Sequence, residues 1–346
     1  MKKVTISEVA KAAGVSKSTV SQYLNKRFDF MGAETKQRIE KAIEQLDYHP
    51  NIIARSLKQK RTSTIGIIVS NILHTFSTQI IRAIEDTCRE NDFHVIVCNA
   101  DDDPLTEEKY IQMLQAKQVD GLVIFPTGGN LDLYHSMVKS SYPVIFMDRI
   151  IEEVNIDVFL LDNESASMMA VNHLISKGHS RIGIVTPSTE LKITPRIERI
   201  TGYKKALHSH GIPINTDYIQ SMETEHQQRG LEKMFSIPAP PTALIASNDL
   251  SLLEVLKYTK KAGISVPDKL AVIGIDDVPF ASIFEPSLSI FSHPTFEMGN
   301  KAAELLLQKI LHKDTAEPKI HRFKPSLLAD KVSTEDLNLT SGGKIE

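Results

Sequence analysis

Beyond residue 64 the chain repeats one pattern, a short run of consecutive apolar residues followed by a longer amphipathic stretch. The runs are Ile65–Val69, Val95–Cys98, Leu122–Phe125, Val144–Met147, Val158–Leu161, Ile182–Val185, Leu244–Ala246 and Ala271–Ile275. Most are separated by ten or more residues of helical periodicity, as in Gln79–Glu90 and Leu250–Ala262. A strand with one wet face alternates apolar and polar residues, whereas a continuously apolar strand needs cover on both faces. Helices laid on both sides of a parallel sheet supply that cover. About eight strands over about 260 residues fit two such sheets better than one. The fold class expected is an α/β core of two doubly wound parallel-sheet lobes. No internal repeat is visible at the sequence level. Hydrophobic content of 41% and charged content of 24% are those of a globular chain and exclude a disordered, collagenous or coiled-coil rod. No stretch approaches the roughly 18 apolar residues that a membrane span requires, so no membrane partner is expected. The N-terminal MKKVTISEVAKAAG has no apolar run after its lysines and does not read as a signal peptide. Cys88 and Cys98 lack redox or zinc spacing, and two thiols in a chain of this length suggest a reducing cytoplasm.

Charge divides the chain unevenly. Residues 1–61 hold 13 Lys and Arg against 6 Asp and Glu, a net of +7, and the remainder carries −10. A small basic head on an acidic body suits a polyanionic partner. Thr5 and Glu8 have the spacing of a capping box, Val9, Ala10 and Ala13 form one apolar face, and Gly14 supplies a left-handed stop. Ser16 is placed to cap a second helix through Leu24, with Val15, Val20 and Leu24 inward and Lys17, Ser18, Ser21 and Gln22 outward. A third helix follows Gly32, with Ile39, Ala42, Ile43 and Leu46 at helical spacing. Two helices joined by a tight turn, the second with a polar outer face, make a helix-turn-helix.

The string T-I-S-E-V-A-K-A-A-G-V-S-K-S-T-V-S-Q-Y-L-N, residues 5–25, resembles the opening of the LacI family of bacterial repressors. The resemblance implies double-stranded operator DNA as partner, with Lys17, Ser18 and Gln22 reading base edges in the major groove. Gln pairs bidentately with adenine and Lys contacts guanine, each good pair giving about 1–3 kcal/mol of discrimination. Many family members carry Arg at the position of Gln22, which leaves the half-site sequence open. Thr5, Ser16, Thr19, Ser21 and Asn25 suit phosphate contacts, which set register without reading sequence; Thr5 and Ser16 fit helix caps equally. The segment Y-H-P-N-I-I-A-R-S-L-K, residues 48–58, resembles the family's hinge helix, two of which pair in the minor groove of a bent operator. Leu57 matches the wedge, Ala54 its small neighbour, and Arg55 a phosphate contact. An ordinary linker is the alternative. The domains expected are a head over 1–49, a hinge over 50–64 and a core over 65–346. Within the core, lobe one spans about 65–162 and 294–323, lobe two about 163–293 and 324–330, and a polar tail covers 331–346. The tail has no heptad leucines, so a dimer is expected rather than a coiled-coil tetramer.

G-H-S-R-I-G-I-V, A-S-N-D and V-I-G-I-D-D-V-P resemble the family's periplasmic-binding-protein-like core, which closes on a small molecule between its lobes. Ligands of open α/β sheets bind at the carboxyl ends of strands. The candidates there are Asn71, Thr75, Phe76, Asp148, Arg149, Asp162, Asn163, Asn248, Asp249, Asp276 and Asp277, with Arg196 and Arg199 at a helix start. The resemblance favours Arg199, Asn248 and Asp276 as effector contacts and Phe76 as an aromatic wall. Asp148 and Asp249 also fit helix caps or hinge partners, and Arg196 a surface ion pair. Arg196 and Arg199 lie three residues apart after Pro195, so they share a helix face near its positive end and suit an anion. The expected effector is therefore a sugar or sugar acid. The stretches S-Q-Y-L-N-K-R-F-D-F-M-G and T-P-R-I-E-R resemble repressors of the 2-keto-3-deoxygluconate branch, which makes that compound a candidate. Whether it induces or co-represses is left open. No nucleophile elbow, zincin helix, Walker loop or dinucleotide fingerprint occurs, the 12 histidines lack metal spacing, and no enzyme, metal or cofactor is expected.

Overall fold

The computed structural model describes residues 4–25, 27–29, 31–49, 61–283, 288–312 and 316–328. The chain divides into two compact units, residues 1–63 and 64–346, each described by itself. The first holds α1 (Ile6–Ala13), α2 (Lys17–Leu24) and α3 (Ala33–Gln45). Gly14 ends α1 in the left-handed region at φ 63°. The three helices meet over Val9, Ala10, Ala13, Val20, Ile39 and Ala42, closed by Tyr48, all buried.

The second unit contains two parallel sheets, each of six strands. The first is built from β1 (Thr64–Val69), β2 (His94–Asn99), β3 (Gly121–Ile124), β4 (Val144–Met147) and β5 (Val158–Leu161). Its helices are α4 (Thr75–Glu90), α5 (Pro104–Ala116) and α6 (Leu131–Lys139). β1 lies between β2 and β3, with Ile67 opposite Val97 on one side and Val123 on the other. The second sheet uses β6 (Ile182–Thr186), β7 (Ile219–Ser221), β8 (Ala243–Ala246), β9 (Ala271–Ile275) and β10 (Ser289–Ser292). Around it lie α7 (Asn163–Ser176), α8 (Thr194–Ser209), α9 (Gln227–Phe235) and α10 (Asp249–Ala262). The chain then returns through α11 (Thr295–His312), which packs on the first sheet, and adds β11 (Ile320–Phe323) to that sheet and β12 (Ser326–Leu328) to the second. Both sheets share one strand order. The sixth strand differs, since β11 runs parallel to β5 and β12 antiparallel to β10.

The described residues thus form twelve strands rather than the eight apolar runs. β7 and β12 are three-residue edge strands, and β11 (Ile-His-Arg-Phe) is an edge in which Ile320 and Arg322 are exposed while His321 stacks on Phe159. Edge strands need apolar cover on one side only, so they escape a search for continuous apolar runs. β10 is interior, but serines bound it and leave only Ile290 and Phe291 as an apolar signal.

In the second lobe α7 and α8 touch backbone to backbone at Gly202, where an added Cβ would lie 2.3 Å from the Glu164 carbonyl oxygen. Gly202→Ala must separate the helices, an overpacking cost of about 1–3 kcal/mol. Urea denaturation is expected to show that loss, and an unchanged midpoint would mean that the two helices slide freely. No helix among the described residues is long and apolar enough to cross a membrane.

Candidate nucleic-acid interface and interlobe cleft

α2 starts at Ser16, whose Oγ accepts from the Thr19 amide at 3.1 Å and lies 2.6 Å from Ser18 Oγ and 2.8 Å from Thr19 Oγ1. Its apolar side is fixed by Val20, which is fully buried. Lys17, Ser18 and Gln22 are exposed, while Thr19 and Ser21 are half-buried beside the helix core. Asn25 closes the helix, its amide nitrogen donating to the Ser21 carbonyl at 2.7 Å. Before α1, the Thr5 amide donates to Glu8 Oε2 at 2.7 Å and the Thr5 hydroxyl at 3.0 Å, completing the capping box. The head thus presents three polar side chains on one helix, with short hydroxyl groups around its N-terminal end.

Between the two sheets lies a narrow cleft at the carboxyl ends of the strands. Phe76 forms an apolar wall, 6.1 Å from the Phe125 ring and 5.1 Å from that of His293. Asp148 and Asp276, which follow β4 and β9, leave their strands through positive φ angles of 67° and 117°. Such angles in non-glycine residues concentrate where the surrounding structure over-determines the backbone, as it does at binding sites. Arg199 is buried. Its Nε donates to Asn163 Oδ1 at 2.9 Å, its Nη1 to the Ser247 carbonyl, and its Nη2 lies 3.6 Å from Asp276 Oδ1. His293 Nε2 lies 2.7 Å from the same carboxylate oxygen.

These neighbours drive the two aspartates apart. Burial opposes the charge on Asp276, yet His293 and Arg199 hold its carboxyl below the usual range. At Asp148 burial pushes the carboxyl up, against the pull of Arg199 and Arg149. Asp276 is thereby set as an acceptor, and Asp148 keeps a proton to higher pH than a free carboxyl would.

Several contacts join the lobes. Asp249, the first residue of α10, reaches across to the start of α4, with Oδ1 2.6 Å from His74 Nδ1 and Oδ2 2.7 Å from the Thr75 amide. A carboxylate at a helix N-terminus is favoured by the free amides there. Arg196 Nη2 lies 3.3 Å from Asp102 Oδ2, and Arg149 Nη2 is 2.6 Å from Asp102 Oδ1. Arg322 of β11 grips Glu198 of α8 through two bonds, at 3.0 and 2.6 Å. Among the described residues no cluster of His, Cys, Asp and Glu is placed to hold a metal ion.

Residues 5–51 match the family model described as bacterial regulatory proteins, lacI family, and residues 171–334 match the periplasmic binding protein-like domain. The probable HTH-type transcriptional regulator EndR of Paenibacillus polymyxa is 50% identical over 311 residues, covering 90% of this chain and 92% of the relative. The chain belongs to the LacI family. The HTH-type transcriptional repressor PurR of Aliivibrio salmonicida is 32% identical over 330 residues, with 94% and 98% covered. A lac repressor dimer bound to operator and the anti-inducer ONPF superposes with a TM-score of 0.79 at 23% identity, covering 95% of this chain and 99% of that one; the likeness there is one of fold. A LacI-family chain of this kind is a DNA-binding transcriptional regulator and not an enzyme.

Of the residues singled out in the sequence, the cleft brings together Phe76, Asp148, Arg149, Arg196, Arg199, Asn248 and Asp276. The other six, Asn71, Thr75, Asp162, Asn163, Asp249 and Asp277, do not line it. Thr75 contributes its amide to Asp249, but its side chain does not line the cleft. Asp162 caps α7, its Oδ1 accepting from the Ser165 amide at 3.1 Å and its Oδ2 from the Ser165 hydroxyl at 2.7 Å, and it too is absent from the lining. A capping aspartate and a ligand-binding one both sit at strand ends, and the sequence does not separate them. Asn163 holds Arg199 in place instead of facing a ligand. Ala54, Arg55 and Leu57 lie outside the described residues. Sequence reasoning missed Asp102, His74 and His293. The only signals were an aspartate run after a strand and histidines beside a helix start and a lobe crossing.

Burial works against charge on His74, but its hydrogen bond to Asp249 raises its pKa above 6.5 on balance. A raised folded-state value means that the bridge contributes fully below the unfolded value and is lost as pH rises through the folded one. Melting temperatures of wild type and His74→Gln, taken from about pH 6 to 9, are expected to converge with rising pH. A gap that stays constant would show that His74 charge plays no part.

Proposed function

We propose that this LacI-family regulator is a cytoplasmic, dimeric repressor of a carbohydrate or sugar-acid catabolic operon, released from a palindromic operator by a small sugar-derived effector. The observation that carries the reading is the cleft, in which a buried Arg199–Asp276–His293 cluster and a second set of charges meet across two lobes. Strand-end Asp and Asn side chains with a buried Arg suit bidentate contacts to hydroxyls and to an acid group. Arg199, Asn248, Asp148 and Asp276 are assigned to the hydroxyls and Phe76 to the sugar face. 2-Keto-3-deoxygluconate is the leading candidate. A twofold dimer fits a palindromic site. An effector held between the lobes changes their angle, and the hinge over Ala54, Arg55 and Leu57 transmits that change to the minor groove. Effector and operator then weaken each other's binding by the same factor.

On DNA, Lys17, Ser18 and Gln22 are assigned to base edges, and Thr5, Ser16, Thr19, Ser21 and Asn25 to phosphates. Gln22→Ala is expected to relax the preference at one half-site position, at about 1–3 kcal/mol per lost pair, whereas Thr19→Ala weakens all sequences alike. Selection of the full-length proteins from a randomised duplex pool tests both. A pool that yields no enriched palindrome for wild type would remove the repressor reading, and equal relaxation by both variants would reverse the assignment of the two faces.

A further inference from the structure

We propose that Arg149 and Arg196 form the receptor for a carboxylate of the effector, and that Asp102 is the internal carboxylate that sets how much negative charge this receptor accepts. The proposal rests on the reading of the cleft as an effector site. It also redistributes the arginines. Arg199 shares a helix with Arg196 but is taken up by Asn163, the Ser247 carbonyl and Asp276. Arg196 faces the other lobe and meets Arg149 around Asp102.

One carboxylate serves both guanidinium groups there, and each is touched by a single nitrogen, at 2.6 Å for Arg149 and 3.3 Å for Arg196. A carboxylate that belongs to one arginine binds it through two parallel bonds; Asp102 is stretched between two and does so with neither. The other partners of the pair are neutral. Arg149 Nη1 donates to the Pro126 carbonyl at 3.2 Å and Arg196 Nη1 to that of Ser188 at 2.9 Å. Arg149 Nε is buried with no acceptor among the described residues. Arg149 is only 6% exposed, so an unbalanced cation is poorly compensated by water.

Nearby acids, Glu223 and Asp148 among them, act on Arg196 from a distance, but only Asp102 touches either guanidinium group. Asp276 is held by Arg199 and His293, and Asp249 by His74 and the Thr75 amide. Asp148 lines the same cleft but bonds neither arginine. Two guanidinium groups with one contacting carboxylate leave donors for one further carboxylate. Asp102 and Arg149 belong to the first lobe and Arg196 to the second, so an anion held by the pair ties the lobes together. The class of ligand that fits is a polyhydroxylated monocarboxylate, a uronic or keto sugar acid, with its carboxylate on Arg149 and Arg196.

The test is the melting temperature of the full-length protein titrated with galacturonate, 2-keto-3-deoxygluconate and neutral galactose, against sodium chloride at equal ionic strength. At least one acid is expected to stabilise wild type above chloride and above galactose. For that acid, Arg149→Lys and Arg196→Lys, which keep the charge but lose the planar fork, are expected to lower apparent affinity by about tenfold. Asp102→Asn, of the same shape, is expected to raise it by about tenfold by freeing both guanidinium groups. Retained affinity in Arg149→Lys, weaker acid binding in Asp102→Asn, or no acid acting above chloride would overturn the proposal. A neutral sugar that stabilises wild type and Arg149→Lys equally would overturn it too, yet leave the repressor reading intact. That reading falls only on a separate measurement, the failure of wild type to select an operator.

Discussion

Operator affinity is expected to fall by about 10³- to 10⁵-fold between about 50 and 200 mM salt, the change produced when six to ten phosphates are neutralised. Residues 1–61, head and most of the hinge together, carry +7 and the rest of the chain −10, so attraction to DNA is confined to this N-terminal part while the body is repelled. Five side chains per head are assigned to phosphates, and a dimer doubles that number. Each neutralised phosphate contributes about −0.9 to the slope of log affinity on log salt. Fluorescence anisotropy with a labelled operator measures it directly. A slope shallower than about −3 would mean that few phosphates are engaged and that the charge asymmetry serves another purpose.

The second large effect concerns Arg199. Replacing it with Met leaves Asp276 buried at 5% exposure, with the His293 ring beside it but without its guanidinium partner. Removing one member of a buried pair costs about 3–5 kcal/mol, because the other charge stays in a poor solvent. Arg199→Met is therefore expected to lower stability in urea by that amount and to reduce effector affinity by at least about 100-fold. The double variant Arg199→Met/Asp276→Leu separates the two roles. It removes the orphaned charge and is expected to regain much of the stability while effector binding stays lost. Equal instability of the single and double variants would show that packing around the guanidinium, and not its pairing, is what matters.

Which parts of this were legible in the sequence follows from the range over which each force acts. β1, β3 through β6, β8 and β9 show as apolar runs because both faces of each strand are covered, while β2 shows through Val95–Cys98 although it is an edge with Val97 exposed. β7, β11 and β12 lie at sheet edges and are named only by their partners. In the cleft, Asp148, Asn248 and Asp276 were found because a strand end is a local feature. Asp102 was not. It stands within Asp101-Asp102-Asp103, where Asp103 caps α5, and the whole run reads as a solvated turn. Its partners lie 47 and 94 positions away, beyond the reach of any periodicity. His293 was hidden likewise, since its partners Asp276 and Arg199 lie 17 and 94 positions earlier, on other elements. Helix spacing puts Arg196 and Arg199 on one face but does not reveal that their internal partners differ, Asp102 for the one and Asn163 for the other.

The late return of the chain through α11 and β11 bears on how the protein is made. Met298, Ala302, Ala303, Leu306 and Leu307 fill the same core as Ile80 and Ile84 of α4, and an added Cβ at Gly299 would lie 2.6 Å from that of Ala83. None of these partners exists until the ribosome has translated the entire second lobe. At about 5–20 residues per second, the nascent first lobe waits several seconds to tens of seconds with one helix face bare and one sheet edge open. The second lobe emerges later but lacks only its short last strand, so it is the better placed of the two to fold as it is synthesised. The lobe that comes first off the ribosome is thus completed nearly last, and through that interval its uncovered apolar surface is a natural client for chaperones.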